Sequence, residues 1–468
     1  MEKSKRDLGV DRNGVPKMMR KRDYLADMSG QIGMNLVANV IGQLTYFYTD
    51  KVGLAVGGVG VVMLISKIVD ALTDLWFGNV IDHSKGGNRK YYRWLLRLMI
   101  PYVIVVVMLF CVPIQAGQIP ALIYACITNI LLSAVCGILI GTPMSAVMVV
   151  RTNSQSERES MGVFRAVGSY GAGMFTAIVT IPLTNILGGT QIAWIKYGFI
   201  IALIVLLMLS ICYINGRNAK LVEEVKDETE EGAEDAVPLK DALGMLFKNK
   251  YWIILVLFNV ITQITNSITA TSGTYYCKWI FGNDNLVALA GSFGFFATII
   301  GFIISKPVIS KLGVNRTINL GVLGAAATAA LRCLIPTNLP VYIVAGLLGS
   351  FVQIPLMCLY GVLLAMVVDY NEYTYNNKLV GVSSGAIGIG TKIGAGVGSV
   401  ILTACLALGS YDATLEVATT SMRYAIYAFS NYLPLIINLA LFFLFRHFDL
   451  EEKMPAIHKE LARRREEN

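Results

Sequence analysis

The feature that most constrains this chain is a recurrence. Apolar stretches long enough to cross a bilayer follow one another along nearly its whole length. A crossing helix needs about 20 predominantly apolar residues. Such stretches fall near 25–49, 57–82, 94–115, 119–150, 161–187 and 193–214, and again near 250–278, 285–306, 313–335, 339–369, 380–409 and 421–446. Backbone polar groups in hydrocarbon must be satisfied within the segment, which leaves helices as the solution for spans of this length. The expectation is an all-α polytopic membrane protein with twelve transmembrane helices. Composition agrees, because charged residues make up 15% of the 468 against about 25% in soluble domains.

The net charge of +8 is distributed in a way that argues against nucleic acid as a partner. Lys and Arg gather in the N-terminus, the 83–97, 151–165, 215–250 and 306–316 loops and the C-terminal tail. The intervening loops hold little more than Lys51, Lys196 and Lys278. This alternation is the positive-inside pattern, so both termini are expected on the cytoplasmic side of the cell membrane. The 370–379 turn joins that side by parity only, since it holds Asp, Glu and a single Lys378. The first 23 residues are polar and have no apolar core, so no cleavable signal peptide is expected. Eight cysteines lie in or at the ends of apolar runs without CxxC spacing, and the three histidines lie in loops or the tail. They read as small buried hydrophobes and solvated side chains, so no cofactor, structural metal or membrane-embedded enzyme is expected.

Residues 215–249 break the apolar pattern with a cytoplasmic linker containing the acidic run Glu223–Glu231. The linker separates an N-terminal six-helix half, 1–214, from a C-terminal half, 250–446, with a tail at 447–468. A short internal repeat supports this division. Val80-Ile-Asp-His-Ser-Lys85-Gly-Gly-Asn88-Arg89 follows the second span of the first half, and Val308-Ile-Ser-Lys311-Leu-Gly-Val-Asn315-Arg316 follows the second span of the other. Parallel six-helix repeats are the architecture of the major facilitator fold, with a central cavity between the halves.

Inside the second span the sequence places charge where charge is expensive. Lys67, Asp70 and Asp74 are spaced three and four apart, so they share a helix face with Thr73 beside them. Two carboxylates and a hydroxyl one turn apart suit Na⁺, or a shared proton. An ion pair of Lys67 with Asp70 that locks helix packing is the structural alternative. Acids at this depth face a bundle interior or a water-filled path.

Other polar residues interrupt the apolar spans. Asn35, Asn39 and Gln43 recur every four residues, and Asn259, Gln263 and Asn266 repeat that theme in the other half. Amides suit sugar hydroxyls because they both donate and accept. They suit interhelical bonds equally well. Lys392 sits in Gly390-Thr-Lys-Ile-Gly394-Ala-Gly-Val-Gly398, where Gly394-x-x-x-Gly398 favours close helix contact. Its ammonium calls for an anionic partner or solute oxygens, or else snorkels to an interface. Arg165, at the start of the fifth span, is a solute or gating residue or an interfacial charge. Asp82, four after Gly78, and Arg89 flank a basic turn that resembles the loop motif of the major facilitator superfamily, a resemblance that implies a latch between the halves. Asp369 and Glu372 stand at the matching end of span ten, able to pair with basic groups of the first half.

Taken together these segments resemble the glycoside–pentoside–hexuronide:cation symporters of the major facilitator superfamily, the group that contains the melibiose permease. The similarity runs along nearly the whole chain. It is carried by Tyr46-Phe-Tyr-Thr-Asp50, Asp70-Ala-Leu-Thr-Asp74, Arg165, Asp369-Tyr-Asn-Glu-Tyr373 and Lys392. The resemblance implies a monomeric symporter importing a sugar or glycoside, with Asp70 and Asp74 binding the coupling cation, Na⁺ or H⁺, and Thr73 as an auxiliary ligand. Solute contacts are expected at Asn35, Asn39, Arg165, Asn266 and Lys392, and gating at Asp82, Arg89, Asp369 and Glu372. No metal is implied beyond Na⁺ at Asp70 and Asp74. The sugar-gripping acids of the melibiose permease are absent: Gly33-Met34 and Gly141 stand at those positions, and Ser145 stands for its cavity tryptophan. The cation side is therefore expected to be kept and the sugar side altered. A glycoside, pentoside or uronide is the expected solute, with a lipid-like or drug-like amphipath as the alternative.

Overall fold

A computed structural model describes residues 9–10, 15–82, 89–219, 221, 239–377 and 379–467. The chain falls into two compact units, Met1–Asp227 and Glu228–Asn468. The first holds α1 (Lys21–Gly42), α2 (Val56–Asp82), α3 (Lys90–Met108), α4 (118–150), α5 (Gln155–Ile186) and α6 (Gln191–Arg217). The second holds α7 (Lys250–Phe281), α8 (Leu286–Leu312), α9 (Val314–Leu334), α10 (Leu339–Tyr375), α11 (Val380–Leu408) and α12 (420–445), followed by α13 (Leu450–Glu467). Of the expected linker, α6 takes residues up to Arg217, and Leu239–Lys248 forms a short amphipathic helix. The acidic run lies outside the described residues.

Among the described residues, eleven helical stretches are long and apolar enough to cross a membrane. The stretch around α1 is helical too, but Asp23, Asp27, Gln31, Asn35 and Asn39 lower its hydropathy. Its C-terminal continuation widens to π-type turns over Phe47–Lys51, within the Tyr46–Asp50 motif. Similar wide turns interrupt α4 at Leu131–Gly137 and α12 at Ala428–Tyr432. Single wide turns of this kind re-aim side chains and are frequent at functional sites.

The two units share one packing plan. In the first, α1 lies against α5 and α6, α3 against α6 and α4, and α2 against α4. In the second, α7 lies against α11 and α12, α9 against α12 and α10, and α8 against α10. Adding six to each helix number converts one plan into the other. That correspondence is the three-dimensional form of the repeat seen in sequence.

Glycine sets the closest of these contacts. A Cβ at Gly394 would sit 2.6 Å from the Val260 carbonyl oxygen, and one at Gly398 would sit 2.6 Å from that of Ile264. The backbones of α11 and α7 therefore touch along the Gly394-x-x-x-Gly398 face, as its spacing leads one to expect. The Ser267 hydroxyl donates to the Ala395 carbonyl at 2.8 Å across the same contact. Gly398→Val is expected to cost about 1–3 kcal/mol by overpacking and to lower the thermal midpoint of the purified protein. Gly388→Ala, where a Cβ meets nothing within 4 Å, should leave that midpoint unchanged or raise it, because Ala favours a helix over Gly.

Acids organise the helix ends. Glu157, 1% exposed, accepts from the Met18 and Met19 amides at 3.0 and 2.8 Å and fixes the entry to α1. Glu451 accepts from the Val314 and Asn315 amides at 2.6 and 2.7 Å, capping α9 just after Gly313 (φ +78°). These are the positions where helix dipoles favour negative charge. Asp449 is held well below the usual carboxylate range by hydrogen bonds from Lys453, Tyr251 and Lys250, which fasten the start of α13 to α7.

Candidate functional site

The stripe on α2 comes first. Lys67 Nζ lies 3.7 Å from Asp70 Oδ2, and the Asp70 side chain is 11% exposed against 26% for Lys67. The ion pair that the spacing allows is therefore present, and it places a carboxylate inside the first unit. Thr73 Oγ1 donates to the Val69 carbonyl at 2.8 Å, which leaves its lone pairs as possible cation ligands. Asp74 follows one turn after Asp70 on α2, but its side chain lies outside the described set, as does that of Asp82. Among the described residues no cluster of three His, Cys, Asp or Glu side chains is poised for a metal.

A second charged constellation, largely missed in the sequence, lies beneath the first turns of α1. Arg165 on α5 grips Asp27 with two hydrogen bonds, Nε to Oδ2 at 2.6 Å and Nη2 to Oδ1 at 2.8 Å. Its Nη2 also donates to the Met144 carbonyl at 2.8 Å. The Asp27 and Arg165 side chains are 6% and 13% exposed. One helical turn away, Asp23 Oδ1 meets Arg151 at 3.2 Å and accepts from Asn215 at 2.9 Å. Arg151 in turn donates to the Asn215 side-chain oxygen at 2.8 Å and to the Tyr92 hydroxyl at 3.3 Å. Two buried acid–arginine pairs thus tie α1 to α3, α5, α6 and the end of α4. The available signal was Asp23 and Asp27 four apart at the mouth of an apolar stretch.

The span-one amides face α5. Asn35 Nδ2 donates to Ser169 Oγ at 3.0 Å and to the Gln31 carbonyl, and Asn39 Nδ2 donates to the Asn35 carbonyl at 2.7 Å. In the second unit the amides behave differently. A cavity of about 310 Å³ opens between α7, α9, α10, α11 and α12. Asn259, Gln263, Asn266, Gln353, Tyr360 and Thr391 contribute polar groups to it, and none of its described lining residues is charged. Asn259 bridges α10 and α11, donating to the Tyr360 hydroxyl and accepting from Thr391 Oγ1 at 3.0 Å. Those bonds fix its orientation. Lys392, half-buried, follows Thr391 in sequence but does not line this cavity.

The helix-end residues also find partners. Arg89 donates to the Arg217 carbonyl at 2.7 Å, a cation on the C-terminus of α6. Asp369 meets His458 of α13 at 3.0 Å. Arg464 of the same helix donates to the Tyr373 carbonyl and to the Asn376 side-chain oxygen at 3.1 and 2.8 Å. Glu372 is half-buried between those contacts in sequence. The end of α10 is therefore held by the chain's own terminal helix, a contact the sequence did not suggest.

Residues 26–452 match the family model described as MFS/sugar transport protein. The chain is 24% identical over 406 residues to the inner membrane symporter YicJ of Escherichia coli (strain K12), covering 85% of each chain. It is 25% identical over 423 residues to the isoprimeverose transporter of Lactiplantibacillus pentosus, covering 86% of this chain and 83% of the relative. A solved D-xylose-proton symporter shares the fold with a TM-score of 0.62 at 14% identity, over 90% of this chain and 96% of that one.

Proposed function

The chain belongs to the MFS/sugar transport protein family, and on that premise we propose that it is a cation-coupled symporter importing a neutral sugar or glycoside by alternating access. The glycoside–pentoside–hexuronide:cation type indicated by the motifs agrees with relatives named as a symporter and an isoprimeverose transporter, and the chain is a membrane transporter rather than an enzyme. The observation that carries the choice of solute is the cavity of the second unit, where amides and hydroxyls stand among apolar side chains and no described lining residue is charged. Such groups match the alternating donors and acceptors of a polyol. Among the described lining residues of this cavity none offers a carboxylate a counter-ion, which ranks uronides below neutral sugars. The relatives' names include an isoprimeverose transporter and a glucuronide carrier protein homolog, which support a sugar-like solute of either kind.

In this reading Asp70 and Asp74 hold Na⁺ or H⁺, with Thr73 assisting. Asn266 contacts the solute directly. Asn35, Asn39, Arg165 and Lys392 belong to the solute side of the machinery, and Arg165 works through its clasp on Asp27. Asp82, Arg89, Asp369 and Glu372 govern opening at the cytoplasmic face, where both termini lie. Phe258, Leu356, Met357 and Leu441 also line the cavity. They favour a second reading, an amphipathic solute whose apolar portion they would cover.

The test is uptake into membrane vesicles of pentoses, neutral glycosides, uronides and apolar probes, with Na⁺ and pH gradients imposed separately. Accumulation of a neutral sugar driven by one of the two gradients is the expected result. Accumulation of uronides alone or of apolar probes alone would overturn the choice of solute, and indifference to both gradients would overturn the coupling. Asn266→Ala should raise the KM of the accepted sugar about fivefold, the worth of one hydrogen bond of about 1 kcal/mol, and leave the preferred gradient unchanged.

A further inference from the structure

The geometry points to a binding site for an anionic phospholipid on the first unit, independent of the transport reading. A groove of about 1360 Å³ runs between residues 16–22, the first turns of α1 and the end of α6. Its walls are apolar: Leu25, Met28 and Ile32 of α1 and Met208, Ile211 and Ile214 of α6. Leu25, Ile211 and Ile214 are 50%, 40% and 56% exposed, so this wall of the first unit is open. In a chain that spans a bilayer, an open apolar wall meets acyl chains.

The mouth of the groove has the opposite character. The exposed Lys17, Arg20 and Arg22 line it, Arg151 of the same lining is buried, and Asp23 is the only acid among the described lining residues. The Asp23 carboxylate is already engaged by Arg151 at 3.2 Å and Asn215 at 2.9 Å, with Arg22 at 3.9 Å. The mouth is therefore cationic, and it lies at the end of the chain that the positive-inside pattern assigns to the cytoplasm. Anionic lipids make that leaflet negative, and each basic residue near it adds about 1 kcal/mol of attraction. A soluble anion would use the mouth and leave the walls bare. A zwitterionic lipid would bring its own cation to the basic mouth. A lipid with one net negative charge on the headgroup satisfies both ends at once.

The experiment is native mass spectrometry of the purified full-length protein with phosphatidylglycerol and phosphatidylcholine of identical acyl chains. Phosphatidylglycerol should be retained about tenfold better. The combined Lys17→Gln, Arg20→Gln and Arg22→Gln variant should lose that preference. A matched variant with the same charge removed elsewhere, Arg97→Gln, Lys311→Gln and Lys459→Gln, should keep it. Ile214→Trp, which fills the groove without altering charge, should weaken retention of both lipids, and millimolar inorganic phosphate should leave the bound lipid in place. Equal retention of the two lipids overturns the site, as does an equal loss in the two triple variants. Displacement by phosphate would make it a soluble-anion site and overturn the lipid assignment. If either lipid binds only after residues 2–14 are removed, the chain's own N-terminus is the occupant and the proposal fails.

Discussion

Asp70→Asn is expected to reduce concentrative uptake to simple equilibration of the solute across the membrane, while exchange of labelled for unlabelled solute continues. The carboxylate is buried, 3.7 Å from Lys67, and a neutral amide of the same shape cannot neutralise a cation there. Coupling requires that cation and solute each tighten the binding of the other by the same factor. Without a cation ligand that factor falls toward one, and the gradient no longer performs work on the solute. Asp74→Asn should behave alike. The competing view, in which Asp70 serves only to neutralise Lys67, makes a different prediction for the double variant Lys67→Met with Asp70→Asn. If the pair is merely structural, removing both charges restores accumulation. If Asp70 holds the cation, the double variant accumulates nothing. Uptake against imposed Na⁺ and pH gradients, paired with counterflow, separates the two.

How far this could be read from the sequence depended on whether a feature was local. Span positions follow from hydropathy over about 20 residues, and a close helix contact on α11 was legible because Gly394 and Gly398 lie four apart on one helix face, though its partner α7 was not. The shared plan of the two units was foreshadowed by Val80–Arg89 and Val308–Arg316, which occupy the same place in each. Features set by distant partners were not legible. Asp27 and Arg165 are 138 residues apart, and nothing in the neighbourhood of either names the other. Asp27 drew no reading of its own, and Arg165 read as a solute or gating residue or an interfacial charge. Asn35 was weighed between cavity and helix contact, and only tertiary structure could place its amide on Ser169. Asp369 was expected to look toward basic groups of the first half, while its visible partner is His458 on a terminal helix that hydropathy alone leaves as a polar tail.

The Asp27–Arg165 pair should also prove to be the most costly polar contact to break in the first unit. Both side chains are largely withdrawn from solvent, and two hydrogen bonds of 2.6 and 2.8 Å hold them in a forked geometry. Their mutual attraction offsets a desolvation cost that each would bear alone. Asp27→Ala leaves a guanidinium with one remaining acceptor, the Met144 carbonyl, and should destabilise the protein by about 3–5 kcal/mol, the usual penalty for orphaning one partner of a buried pair. Arg165→Met should cost a similar amount by leaving the carboxylate unpaired. Combining Asp27→Leu with Arg165→Met removes both charges and should recover most of the loss, since apolar replacements of buried pairs are often nearly neutral. Thermal unfolding of the purified single and double variants measures the three values. Additive losses in the double variant would mean that the two residues act separately, and would remove the clasp from any account of how Arg165 serves the transporter.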